Sequence, residues 1–220
     1  MRPFRWAAPL ALALTAAWLS AQAPASRLTL DYLNPGLNPS HWVLTLAPDG
    51  SGHFRSERNP LPPTPRPEID APEVDRPIHL DAAFAARLFH TARGHNFFQE
   101  ECDANRKVAF QGWKTLSYSG SDGEGSCRYN YAHDREIESA GDSLMGVASS
   151  ILEGARLEKL LQYDRLGLDR EMEYLTEAVS EGHMLQLATI RGVLERISED
   201  PAVMERVRKR SRQLLTSASK

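Results

Sequence analysis

Leu28, Leu30 and Tyr32 alternate with Thr29 and Asp31, the period of a half-buried β-strand. Asn34-Pro35-Gly36 breaks the run. Trp42 to Ala47 predicts a second strand and His53 to Glu57 a third, joined by the turn residues Pro48-Asp49-Gly50-Ser51-Gly52. Pro77 to Leu80 reads as a short strand. Asp81 then has the chemistry of a helix N-cap, with Phe84, Leu88 and Ala92 on one face and Gly94 past the end. Val108 to Phe110, Trp113 to Tyr118 and Cys127 to Tyr131 predict further strands. The polar, glycine-rich stretch from Ser119 to Ser126 predicts an exposed loop between the last two.

From Asp134 the period changes. Ile137, Gly141, Leu144, Ala148, Ile151 and Ala155 recur every three or four residues, which predicts one long amphipathic helix extending toward Tyr163. Leu166-Gly167-Leu168 interrupts it. Asp169 is the expected cap of a second helix that Gly182 ends, and His183 to Ile197 the expected third. Asp200-Pro201 predicts N-cap and first position of a last helix reaching Ser217. The fold class predicted is α+β: residues 26–132 as an antiparallel sheet with one helix, and 133–220 as a helical region. Residues 59–77, with seven of the 14 prolines, read as a stiff loop rather than regular structure. Pro62-Pro63-Thr64-Pro65 also fits the pattern of a ligand for proline-recognition domains, the less favoured reading.

Residues 1–25 carry an address. Arg2 and Arg5 precede an apolar run of about 14 residues and then small residues, the layout of a secretory signal peptide and too short to span a bilayer. Ala23 and Ala25 are the competing cleavage positions, Ala25 being favoured because it avoids Pro24 at the new N-terminus. No cysteine lies nearby, so no lipid anchor is expected. Loss of this segment removes two arginines and shifts the formal charge from −3 to about −5. That balance gives no reason to expect nucleic acid.

An exported location changes the reading of Cys102 and Cys127. An even pair in an oxidising compartment predicts a disulfide, closing a loop of about 25 residues at roughly 3 kcal/mol in the chain-entropy model. A reactive thiol or metal ligand is the alternative. Glu100, Glu101 and Asp103 flank Cys102, and negative charge opposes thiolate formation.

Two resemblances follow from local motifs. Asp200 to Leu215, with its Asp-Pro start, Val207-Arg208 pair and closing Leu214-Leu215, resembles the second helix of a HEAT-type repeat, with Ser211 where alanine is usual. The likeness implies helix-pair packing. The front half resembles small exported bacterial domains of unknown function in outline: an Asp49-Gly50 hairpin, the helix from Asp81, and the strand Gly112-Trp113-Lys114-Thr115. That likeness brings no site residues.

No G-x-S-x-G, C-x-x-C or H-E-x-x-H pattern occurs. Gly112-Trp113-Lys114-Thr115 ends like a P-loop but lacks the earlier glycine, since Lys107 stands there. Seven histidines are scattered without close ligand spacing; Asp122-Gly123-Glu124 has too few acids for a calcium loop. Neither metal nor cofactor is expected. The one dense basic run, Arg206, Arg208, Lys209, Arg210 and Arg212, reads first as a solvated helix face whose last turns complement the dipole. The sharper reading is contact with an acidic partner or an anionic phospholipid surface. The function expected is a non-catalytic exported module that binds an envelope or secreted protein. The alternatives are a carrier whose pocket is lined by Trp42, Phe84, Phe97, Phe98, Trp113 and Tyr118, or a hydrolase whose site only the fold assembles.

Overall fold

The computed structural model describes residues 25–57 and 73–218. The expected leader lies outside these apart from Ala25. So does the proline-rich stretch as far as residue 72.

Six strands form one antiparallel sheet: β1 (Arg27–Leu33), β2 (His41–Leu46), β3 (Ser51–Glu57), β4 (Val74–His79), β5 (Trp113–Gly120) and β6 (Gly123–Tyr129). Their order across the sheet is β4-β3-β2-β1-β5-β6. The fold is α+β, with most helix in the C-terminal half. Helix α1 (Ala82–Gly94) follows β4; α2 (Arg135–Tyr163), α3 (Leu168–Ser180), α4 (Arg191–Glu199) and α5 (Glu205–Ser217) follow β6. Among the described residues no helix is long and apolar enough to cross a membrane.

Alternation decides which way the sheet faces. Leu28, Leu30 and Tyr32 of β1, Trp42, Leu44 and Leu46 of β2, and Leu116 and Tyr118 of β5 are buried against α1 and α2. Asp81 caps α1 as predicted, and Asp134, where the helical period begins, caps α2. The Asp81 carboxylate accepts from Phe84 N at 2.9 Å, and that of Asp134 from Glu136 N and Ile137 N. Helix α2 is shared between two cores. Ile137 to Ala155 pack on the sheet, while Leu157 and Leu160 join α3, α4 and α5. The Cys102 and Cys127 sulfurs lie at bonding distance, 2.01 Å. The disulfide ties the segment after α1 to β6.

Three expectations in the sheet half are corrected. Val108 to Phe110 is not a strand. Its neighbourhood is held by side chains, with Asn130 accepting from Gln111 N and donating to Ala109 O. The expected loop 119–126 is a two-residue turn, and β6 already begins at Gly123. Glycine is required there because three successive left-handed residues, Asn96, Phe97 and Phe98, press Phe97 onto the strand. A Cβ at Gly123 would sit 2.2 Å from the Phe97 ring. Residues 74–77 of the proline-rich stretch form part of β4, where Pro77 is tolerated because β4 is an edge strand.

The helical half departs in its turns. Asp169 sits inside the first turn of α3 rather than capping it. Residues 183–186 are not helical; a short 3-10 turn, Leu187–Ile190, leads into α4. Asp200 caps a turn instead of α5, accepting from Ala202 N at 2.8 Å, and Val203 is tucked into the core before the helix starts at Glu205.

Candidate functional site

Lys114 occupies the core-facing row of β5 between Trp113 and Thr115, in the same register as Leu116 and Tyr118. Its side chain is 3% exposed. A buried ammonium needs compensating charge. The first two turns of α2 supply it: Lys114 Nζ donates to Glu138 Oε1 at 2.6 Å and to Asp142 Oδ1 at 3.2 Å. Glu138 turns its other oxygen to Ala132 N at 2.5 Å, so both its oxygens are engaged. The Lys114 ammonium also lies 5.2 Å from the centre of the Tyr129 ring. Burial, then the charges of Glu138 and Asp142, push the Tyr129 phenol far above its ordinary range. It stays a hydroxyl, donating to Ile137 O at 3.3 Å. Gly141 makes this approach of helix to sheet attainable, since a Cβ there would lie 2.0 Å from the Tyr129 oxygen.

Above this brace runs an open groove of about 480 Å³. The Tyr131–His133 connection and the start of α2 form one side. Arg106 and the turn at Gly182 and Leu185 complete it. Glu138 and Asp142 reach its floor, where Asp142 is 63% exposed and Glu138 14%. His133 is held by Cys102, its Nδ1 donating to the Cys102 carbonyl at 3.0 Å, so the disulfide segment positions one wall.

A second surface lies on the opposite face of the sheet. Trp113, Thr115 and Ser117 alternate outward from β5, and no described helix covers them. Arg128 stacks over Trp113 at 4.5 Å, Phe110 meets its edge at 5.9 Å, and Leu33 is its cross-strand partner. Phe110 is 52% exposed. Gly112 sets this up: at φ +106° it turns the chain under the Tyr32 ring and delivers Trp113 to the outer face.

The residues singled out by sequence are dispersed. Trp42, Phe84, Phe98 and Tyr118 are buried in the core, Phe97 packs on Tyr118, and Trp113 is on the outer face. Trp113 thus stands on the other side of the sheet from the four buried aromatics. Asp122 is engaged by Arg93 at 2.6 Å and by the Tyr118 hydroxyl at 2.6 Å. The basic run sits in the first half of α5, not its last turns. Arg206 and Arg210 both grip Asp169 of α3, at 2.7 and 2.8 Å, and Arg208 and Arg212 both pair with Glu205. The Arg206 hydrogen bond, with the two guanidinium charges, holds the Asp169 carboxyl below its usual range. Of the five, Lys209 alone has no carboxylate partner among the described residues. Val203, Val207 and Leu214 are buried on the other side of this segment.

Lys114 was within reach of the sequence. The alternation Lys114, Leu116, Tyr118 places it on the core face, and Glu138 and Asp142, four apart, form one helix face. Arg106 carries no comparable signal, because its position depends on an irregular segment pinned from a distance by Asn130 and Asp103. No known protein-family model matches the chain, and no curated protein matches its sequence.

Proposed function

We propose that this chain is an exported, non-catalytic module that binds another envelope or secreted protein through the outer face of its sheet. The observation that carries this reading is the Trp113 cluster. A tryptophan, a phenylalanine and an arginine are gathered on a face that no described element covers. Aromatic residues and arginine dominate binding energy at protein interfaces. Among the described residues the Arg128 side chain has only the Trp113 ring as its partner, which favours a partner segment that brings a carboxylate beside an apolar side chain.

The leader-like residues 1–25 and the disulfide favour export. A non-catalytic role is favoured by the brace under the groove, where the Lys114 ammonium and both Glu138 oxygens are committed to each other and to the backbone. Neither is placed to act as nucleophile or base.

The test places a photo-crosslinking amino acid at Thr115, beside Trp113, in cells that export the chain. A single adduct that disappears with Arg128→Glu and with Trp113→Ala supports the proposal. An adduct insensitive to both substitutions, or none at Thr115 while a probe at Lys209 on α5 yields one, overturns it.

A further inference from the structure

Most described arginines are held by carboxylates: Arg76 by Glu158, Arg93 by Asp122, Arg156 by Glu171, Arg165 by Asp200, and those of α5 by Asp169 and Glu205. Arg106 and Arg135 are among the exceptions, with Arg27, Arg87, Arg128 and Arg170, and these two line the groove above Lys114. Neither has a carboxylate partner among the described residues, and both are exposed. Two guanidinium groups facing one concave space favour an oxyanion.

The other end of the groove has the opposite demand. Asp142 stands seven residues further along α2 than Arg135, about 10 Å at the rise of an α-helix. Lys114 engages one of its oxygens, and the other is open to a donor. Ser139 and Ser143 lie between and beside these charges and supply hydroxyls. An extended peptide advances about 3.3 Å per residue, so three residues span that distance. The volume also falls within the range of small-ligand sites, about 300–1,000 Å³.

We infer that this groove binds a short peptide with free ends, its terminal carboxylate between Arg106 and Arg135 and its terminal ammonium at Asp142. The Lys114–Glu138 pair fixes the floor and leaves Asp142 as the acceptor. The site is on the opposite face of the sheet from the Trp113 cluster, so loss of either activity leaves the other intact.

The experiment follows the arginine Nε–Hε and backbone amide resonances of the full chain by NMR while trialanine is added. The expected result is saturable shifts at Arg106, Arg135 and Asp142. Binding weakens about tenfold or more with the C-terminal amide of trialanine, as two charge-assisted bonds are lost. It also weakens, by less, with N-acetyl-trialanine. Arg106→Gln with Arg135→Gln removes the shifts, and an unchanged amide spectrum elsewhere shows that this variant is folded. Inorganic phosphate binding as tightly as trialanine overturns the peptide assignment. Shifts that do not saturate, or that persist in the double variant, overturn the site.

Discussion

The two halves of the molecule differ in where their arginines stay available. The helical half carries the densest basic run in the sequence and neutralises most of it internally. Asp169 receives Arg206 and Arg210, Glu205 receives Arg208 and Arg212, and Asp200 receives Arg165. The sheet half has no such run, yet it leaves Arg106 open at the groove, beside Arg135 from the first turn of α2, and Arg128 open on the outer face. Local charge density in a sequence therefore does not indicate available charge. The arginines of α5 serve as clamps on α3, and the binding chemistry concentrates where isolated cations meet a cleft or an aromatic ring.

The halves also differ in how their cores are made. The sheet half buries an ion pair in an otherwise apolar layer, and this offers the largest single effect with which to break the contrast. Glu138→Ala leaves the Lys114 ammonium buried with only the exposed Asp142 for a partner. The expected loss is about 3–5 kcal/mol in chemical denaturation. Lys114→Met with Glu138→Gln removes the charge while keeping the acceptor for Ala132 N, and its expected loss is much smaller. Equal losses in the two variants would show that the pair is not the brace.

A smaller effect belongs to the seam between the halves. Glu153 of α2 is buried, and its Oε1 has no hydrogen-bond partner. Burial first, then the negative charge of Glu171 on α3, push its carboxyl up to about 8, with Arg156 opposing. The folded chain thus retains a proton that the unfolded chain releases above its ordinary value of 4.5. Glu153 withdraws stability progressively as pH rises from about 4.5 to about 8, and withdraws none below that window. The difference between Glu153→Gln and the parent is expected to shift across this range by about 4 kcal/mol in favour of the variant. Thermal unfolding of the two chains at pH 5 and pH 8 measures it. A difference that is constant with pH contradicts the assignment.

Legibility in the sequence also separates the halves. Strand positions were readable because a period of two survives any tertiary context: Leu28, Leu30 and Tyr32 face the core as expected. The Asp81 cap was readable because capping is local. Turn glycines misled, since Gly123 and Gly125 signal flexibility in sequence but here admit the Phe97 ring and its backbone. Asp200-Pro201 misled for a related reason. An aspartate that caps a turn and one that caps a helix make the same first hydrogen bond, and only the burial of Val203 distinguishes them. The groove was not readable at all. Arg106 and Arg135 are 29 positions apart, and the Asp103, Asn130 and Cys102 contacts that bring their segments together are long-range.

The central claim is that charge is clamped in the helical half and open at the groove. Hydrogen exchange at arginine Hε, measured residue by residue by NMR, tests it most directly. Arg206 donates its Nε–H to Asp169 at 2.7 Å, so its Hε is expected to exchange more slowly than those of Arg106 and Arg135. In Asp169→Asn it should accelerate toward their rate. Equal exchange at all three arginines in the unmodified chain, or slow exchange at Arg106 and Arg135 alone, would contradict the account.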